Sequence, residues 1–98
     1  MERQDIIGRL QANRAALQAR GVEHVALFGS RARGDALPES DTDILLELSP
    51  SARMTVFDYA GLKLFVAALF DGQVDVVNRA ALKPYVRPAA LADAVYAF

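Results

Sequence analysis

The stretch "LFGSRARGDALPESDTDILLEL", Leu27 to Leu48, sets two short apolar runs around a Gly-Ser turn, two arginines and two aspartates one residue apart. "HVALFGS" has the apolar composition of a buried strand that runs into a turn, and "TDILLEL" has that of a second strand. Ser49-Pro50-Ser51 ends the second run, because serine and proline favour turns. The stretch therefore predicts two strands joined by a polar, charged connection.

Segments with apolar residues at helical spacing precede and follow the two predicted strands. From Ile6 the apolar positions recur at helical intervals up to Arg20, and Gly21 sits where a helix would end. "QVDVVN" predicts a third strand, and prolines break the remaining chain into short helical pieces. The predicted order is helix, strand, strand, helix, strand and short helices, over residues 6–20, 24–30, 42–48, 55–70, 73–78 and 79–98. This order predicts a single α/β (α+β) domain over residues 1–98, with a mixed sheet of about three to four strands and flanking helices.

The composition excludes several classes of protein. A net charge of −1 argues against a protein that coats nucleic acid through its phosphates, and the absence of cysteine excludes disulfides and thiolate zinc sites. The start "MERQDIIGRL" lacks the apolar core of a signal peptide, and no apolar run reaches membrane-spanning length. We therefore expect a soluble, cytoplasmic protein. Its 53% hydrophobic content predicts apolar surface buried against a partner or in a homo-oligomer.

Three aspartates form the first part of a candidate site. Residues at i and i+2 of a strand point to one face, so Asp41 and Asp43 would place two repelling carboxylates together. Asp75 interrupts the apolar strand "VDVV", where an uncompensated carboxylate is costly. Oxygen ligands without histidine or cysteine suit Mg²⁺ or Mn²⁺. If the third strand pairs beside the second, one metal site would explain all three.

The Gly-Ser turn supplies what a phosphate needs. Gly29 permits close approach of the main chain to a ligand, and Ser30 offers a hydroxyl beside free N–H groups that attract anions. Arg31 and Arg33 add positive charge. A polyphosphate held there would reach toward two metal ions on the aspartates, which could activate an attacking oxygen and stabilise the leaving pyrophosphate. The constellation suits nucleotidyl transfer.

"GSRARGDALPESDTDILLEL" followed by "VDVV" resembles the minimal nucleotidyltransferase (MNT) family of the DNA polymerase β superfamily. The family pattern is Gly-Ser, a spacer, Asp-x-Asp and a later Asp, and the ending "ALADAVYAF" is also similar. The resemblance implies that Gly29 and Ser30 hold the nucleoside triphosphate and that Asp41 and Asp43 bind metal. It implies that Asp75 completes the site and aids deprotonation of the acceptor hydroxyl.

The resemblance also implies a biological role. Many family members are antitoxins of HEPN-domain ribonuclease toxins, and some silence the toxin by transferring AMP from ATP to one of its tyrosines. A chain of 98 residues leaves no room for a separate acceptor-binding domain, so a protein or RNA acceptor is favoured over a small molecule. The predicted function is therefore Mg²⁺-dependent protein adenylylation with ATP as substrate.

Two other functions stay open from the sequence. The first is a non-catalytic antitoxin of the same fold that inhibits its partner by occlusion with an idle nucleotide site. Three mutually repelling carboxylates argue against it, because an idle site has no physical reason to keep them. The second is nucleic-acid binding through "SRAR", which the acidic composition and the lack of stacking aromatic residues disfavour.

Overall fold

A computed structural model describes all residues from 1 to 98. The chain forms five helices and four strands, with a 3₁₀ turn at Arg79–Ala81. In chain order the elements are α1 (Arg3–Ala12), α2 (Arg14–Ala19), β1 (Val22–Phe28), α3 (Ser30–Arg33), β2 (Thr42–Leu48), α4 (Val56–Ala67), β3 (Val74–Asn78), α5 (Arg87–Asp93) and β4 (Val95–Tyr96). No helix is both long and apolar enough to cross a bilayer.

The four strands form one mixed sheet in the order β3-β2-β1-β4. β1 pairs antiparallel with β2 and with β4, whereas β2 and β3 run parallel. α4 supplies the crossover that a parallel pair requires, since it connects β2 to β3 and packs beside β3. The predicted α+β class and mixed sheet are confirmed, and the third strand lies directly beside the second.

The two faces of the sheet are covered by different parts of the chain. On one face, apolar side chains of β1 and β2 pack with those of α1, α2 and α4 in a single core cluster. Its fully buried members include Ile6, Leu10, Leu17, Val25, Leu27, Ile44, Leu46 and Val66. On the other face, Ala26 and Leu45 are also fully buried, and α5 contacts β1. The sheet is thus covered on both faces, while the ends of β2 carry its charged residues.

Two local expectations were wrong. The first predicted helix is two helices, because the chain breaks at Asn13, whose side-chain amide donates to the carbonyl of Arg9 at 2.8 Å. Such side-chain bonds compete with the main-chain ladder of a helix. The predicted C-terminal helical pieces end in a strand, because Val95 and Tyr96 pair with Leu27 and Ala26.

Candidate active site

The parallel pairing of β2 and β3 brings two of the predicted aspartates side by side. Asp43 and Asp75 are register partners, each the second residue of its strand. Register partners in neighbouring strands share a face and lie about 4.8 Å apart along the sheet. The pairing of β2 with β3 therefore places both carboxylates on one face of the sheet, as the predicted site requires.

Asp41 lies one residue before β2 rather than within it. Its side chain is exposed, and Thr42, which separates it from Asp43, is buried and donates its N–H to the carbonyl of Gln73 at 2.9 Å. No group of three acidic side chains is arranged in the structure to hold a metal ion. A third ligand from Asp41 would therefore require its exposed carboxylate to turn toward the other two.

The pKa of Asp43 reflects its closeness to the carboxylates of Asp75 and Asp41. Burial raises the pKa of the Asp43 carboxyl, and the negative charges of Asp75 and Asp41 raise it further. Arg33 and Arg31 lower the pKa but do not cancel this rise. The site therefore holds an excess of negative charge that the protein itself leaves uncompensated.

Only glycine fits at position 29, beside Asp43. Its φ of +74° lies in the region that L side chains rarely adopt, and an added Cβ would meet the Oδ2 atom of Asp43 at 2.3 Å. The main chain of the Gly-Ser turn thus runs directly against the carboxylate. A ligand bound to the turn would be held next to Asp43.

Ser30 begins the short helix α3, with Gly29 as its N-cap. The main-chain bonds of α3 start with the N–H groups of Ala32 and Arg33, which both donate to the carbonyl of Gly29 at 3.1 Å. The N–H groups that precede them at the turn are those that a helix start leaves for other partners. The Ser30 hydroxyl and these N–H groups are the donors available to a phosphate.

Arg31 is held by main-chain carbonyls of the connection between α3 and β2. Its guanidinium donates to Ser40 at 2.7 Å and to Pro38 at 3.3 Å, and it reaches Met1 at 3.4 Å. Its Nε is buried without a partner. Arg31 therefore fixes the loop that leads into Asp41, and its predicted contact with nucleotide stays a prediction.

Arg33 makes two ion pairs, one of which joins α3 to α5. Its guanidinium donates to Asp93 at 2.9 Å and to Asp35 at 3.1 Å. These hydrogen bonds raise the pKa of Arg33, and the bond that Arg33 donates to Asp35 has the largest effect. Because both carboxylates already neutralise it, Arg33 could bind a phosphate only by exchanging these partners, and this predicted role is untested.

The chemistry of the donor set fits Mg²⁺. Asp43, Asp75 and Asp41 offer only hard oxygen ligands, and a divalent cation would offset the repulsion that raises the pKa of Asp43. The missing side chain at Gly29 lets the Asp43 carboxylate lie directly against the main chain of the turn. Asp41, Asp43 and Asp75 are therefore the residues that would hold the metal.

Lys63 is a further residue beside the site. It lines a groove between α4 and β3 together with Asp75 and Val74. Its position near the middle of a mostly apolar helix gave no signal of this placement, because only the packing of α4 against β3 creates the groove. It is the cation of α4 closest in position to the aspartates.

Comparison with known proteins agrees with this geometry. The family model for the nucleotidyltransferase domain matches residues 10–97. Protein adenylyltransferase MntA of Thermococcus cleftensis is 32% identical over 94 residues, which cover 95% of this chain and 93% of that protein.

Solved structures show the same fold. A minimal nucleotidyltransferase superposes with a TM-score of 0.78 at 33% identity, covering 97% of this chain and 95% of that one. A toxin–antitoxin with AMP-PNP superposes with a TM-score of 0.68 over all of this chain and 73% of that one; at 19% identity it shows the fold alone. Because the family model spans most of the chain and the Thermococcus relative is 32% identical over 95% of it, the chain belongs to the nucleotidyltransferase domain family.

Proposed function

We propose that this chain transfers AMP from ATP to a tyrosine hydroxyl of a HEPN-type ribonuclease toxin, and that it acts in the cytoplasm as the antitoxin of that toxin. The observation that carries the proposal is the pairing of Asp43 with Asp75 directly against the side-chain-free Gly29. A similar protein is named a protein adenylyltransferase, and a chain of the same fold occurs in a toxin–antitoxin with AMP-PNP.

The binding step uses the Gly-Ser turn. The Ser30 hydroxyl and the N–H groups at the start of α3 bind the phosphates of ATP, and Gly29 lets them approach Asp43. Asp41, Asp43 and Asp75 would hold two Mg²⁺ ions, with Mn²⁺ as a substitute. The chemistry that these ions supply when bound is neutralisation of the phosphates and of the leaving pyrophosphate.

The transfer step forms one bond and breaks one. The acceptor oxygen bonds to the α-phosphorus of ATP, the bond from that phosphorus to the bridging oxygen breaks, and pyrophosphate leaves with the electron pair. The acceptor proton passes to Asp75, which is exposed at the sheet edge where a partner's side chain can reach it. We expect the acceptor to be a protein, because a similar protein is named a protein adenylyltransferase.

The test is mass spectrometry of the co-expressed partner for an added AMP, with ATP and Mg²⁺. We expect modification by the wild-type chain and none by Asp41→Ala or Asp43→Ala, both of which should stay folded because they remove exposed or half-buried repelling charges. A partner that is inhibited but unmodified by the wild-type chain would contradict the proposal and favour inhibition by occlusion.

A further inference from the structure

Helix α4 carries an apolar surface on the side that faces away from the protein. Its buried residues Leu62 and Val66 pack into the core, whereas Phe57 is 87% exposed and Leu64 is 72% exposed. At 3.6 residues per turn, the positions diametrically opposite the buried pair form one line along the helix. We call this line the outer stripe; it consists of Phe57, Ala60, Gly61, Leu64 and Ala68.

Most of the outer stripe is exposed to solvent in the monomer. Its charged neighbours on the helix, Asp58 and Lys63, lie to either side, so no charge interrupts it. Monomeric proteins rarely expose large apolar side chains in a continuous line, and such a line is typical of an interface. The structure therefore needs a second surface to cover it.

The outer stripe is complementary to a copy of itself. In an antiparallel pair of α4 helices related by a two-fold axis between Leu62 and Lys63, Phe57 faces Ala68 of the other copy and Leu64 faces Gly61. Each large side chain then meets a small one, and a Cβ built on Gly61 has open space around it. Large-to-small pairing of this kind lets two helices approach to about 8–10 Å. An isologous two-fold interface requires this self-complementarity.

The area that the outer stripe would bury and the dipoles of the two helices also favour an antiparallel pair of α4 helices. An aromatic side chain buries about 150–250 Å², so Phe57 alone supplies about a fifth of the roughly 800 Å² per partner that a stable interface needs. Leu64 and the neighbouring Val56, 82% exposed, add to this area. The antiparallel orientation also sets the positive end of each helix dipole beside the negative end of the other.

We propose that the outer stripe of α4 is the interface of a two-fold homodimer in which the two α4 helices pack antiparallel. The groove shared by Leu64, Lys63 and Asp75 runs along the edge of this interface, so dimerisation would place a second chain beside the candidate active site. This inference does not depend on the proposed AMP transfer, because it concerns an exposed helix face and no ligand.

The first test is sedimentation velocity from about 1 µM to 1 mM, which spans weak and moderate affinities. We expect a monomer–dimer equilibrium for the wild-type chain, and a dissociation constant at least about 30-fold higher for Phe57→Glu or Leu64→Glu, as for the loss of a hot-spot side chain. Leu37→Glu, at an exposed loop position, is the matched control and should dimerise normally.

Gly61→Leu separates dimerisation from folding. A Cβ at this position has open space, and the change removes a helix-interior glycine, so we expect no fall in the melting temperature of the variant at concentrations where the wild type is monomeric. Across the proposed interface it would collide with Leu64 of the other copy and abolish the dimer. A Gly61→Leu variant that dimerises like the wild type would overturn the proposal.

Disulfide trapping tests the orientation of the helices, since the chain has no cysteine of its own. A mixture of the single variants Phe57→Cys and Ala68→Cys should cross-link on oxidation, whereas Phe57→Cys alone should not, because its two copies would lie about 16 Å apart along the helices. Cross-linking of Phe57→Cys with itself would contradict the antiparallel register. A wild-type chain that stays monomeric, with Leu64→Glu weakening only its binding to the toxin, would assign the stripe to the toxin instead.

Discussion

The two ends of strand β2 shift the pKa of a carboxyl group in opposite directions. Asp43 and Glu47 lie on the same face of one strand, and both are half buried. Burial and the charges of Asp75 and Asp41 raise the pKa of Asp43. Burial also acts to raise the pKa of Glu47, but hydrogen bonds from Tyr96 and Arg79 outweigh it and lower the pKa.

The opposite pKa shifts distinguish a candidate ligand-binding carboxylate, Asp43, from a structural one, Glu47. Arg79 donates to Glu47 at 3.0 Å, and Tyr96 donates to the other oxygen of the same carboxylate, so β2, β4 and the 3₁₀ turn are joined through neutralised charge. At Asp43 the negative charges of Asp75 and Asp41 outweigh the positive charges of Arg33 and Arg31, so its pKa stays raised. The charge of Glu47 is offset by residues of the chain itself, whereas at Asp43 we expect a bound cation to do this.

The largest expected effect is on catalysis. We expect Asp43→Asn to lower the rate of AMP transfer at least about 10³-fold, since metal-ion catalysis supplies several kcal/mol and each 1.36 kcal/mol is a factor of ten. Glu47→Gln, the matched amide substitution about 13 Å further along the strand, should change the rate by less than about threefold. Transfer measured with labelled ATP checks this. Equal losses of transfer rate in both variants would show that Asp43 and Glu47 do not differ in their role in catalysis.

Substitution of Gly29 should cost stability through its contact with Asp43. Gly29→Ala forces a Cβ against the Asp43 carboxylate at a φ of +74°, and we expect the free energy of unfolding to fall by about 3 kcal/mol. Gly34→Ala is the control, because its φ is +84° but its Cβ would have open space; it should cost about 1–2 kcal/mol. Denaturant titration measures both. Adding Asp43→Ala should recover the part of the Gly29→Ala loss that comes from the Asp43 contact, leaving a loss similar to that of Gly34→Ala.

Removal of one hydrogen bond at the other end should have a smaller effect. Tyr96→Phe deletes the donor to Glu47, and we expect a loss of about 1 kcal/mol, the usual net value of such a bond. In a double-mutant cycle, Tyr96→Phe and Glu47→Gln should be non-additive, because they share the interaction. Tyr85→Phe, at a hydroxyl-bearing side chain that is 77% exposed, should change the free energy of unfolding by less than about 0.5 kcal/mol. Strict additivity of the first pair would show that Tyr96 does not stabilise Glu47.

The smallest effect is a difference in the pH dependence of stability. The raised pKa of Asp43 makes its ionisation unfavourable to folding, so Asp43→Asn should be more stable than the wild type at neutral pH, and this gain should vanish as pH falls through the raised pKa toward 3.8. The lowered pKa of Glu47 contributes stability above 4.5 that is lost as pH falls through the folded-state value. Glu47→Gln should therefore show a deficit at neutral pH that shrinks below pH 4.5. Melting temperatures from pH 3 to 7 measure both trends, and trends of the same sign would contradict this account.

The sequence predicted the second and third strands, and their pairing sets Asp43 beside Asp75, whereas Asp41 lies just before β2. "TDILLEL" became β2 with the predicted bounds, and the apolar run around Asp75 became its parallel neighbour. The family and the mixed sheet followed from the same residues and are confirmed. The roles of the individual site residues stay predictions.

The remaining features depend on contacts that no local pattern encodes. β4 has two residues, too few to show an alternation of apolar and polar positions. The carbonyl partners of Arg31 and the carboxylate partners of Arg33 come partly from residues far along the chain, such as Met1 and Asp93. A sequence shows the charge of an arginine but not which of its neighbours will neutralise it.

We propose that a divalent cation binds at the Asp43 end of β2 and that none is needed at the Glu47 end. Carboxyl-carbon NMR titration of both residues, with and without Mg²⁺ and a non-hydrolysable ATP analogue, tests it most directly. We expect Asp43 to titrate above its ordinary range in the free protein and to shift to much lower pH when Mg²⁺ and the analogue are bound, while Glu47 titrates low in both states. An Asp43 titration that Mg²⁺ and the analogue leave unchanged would contradict the claim.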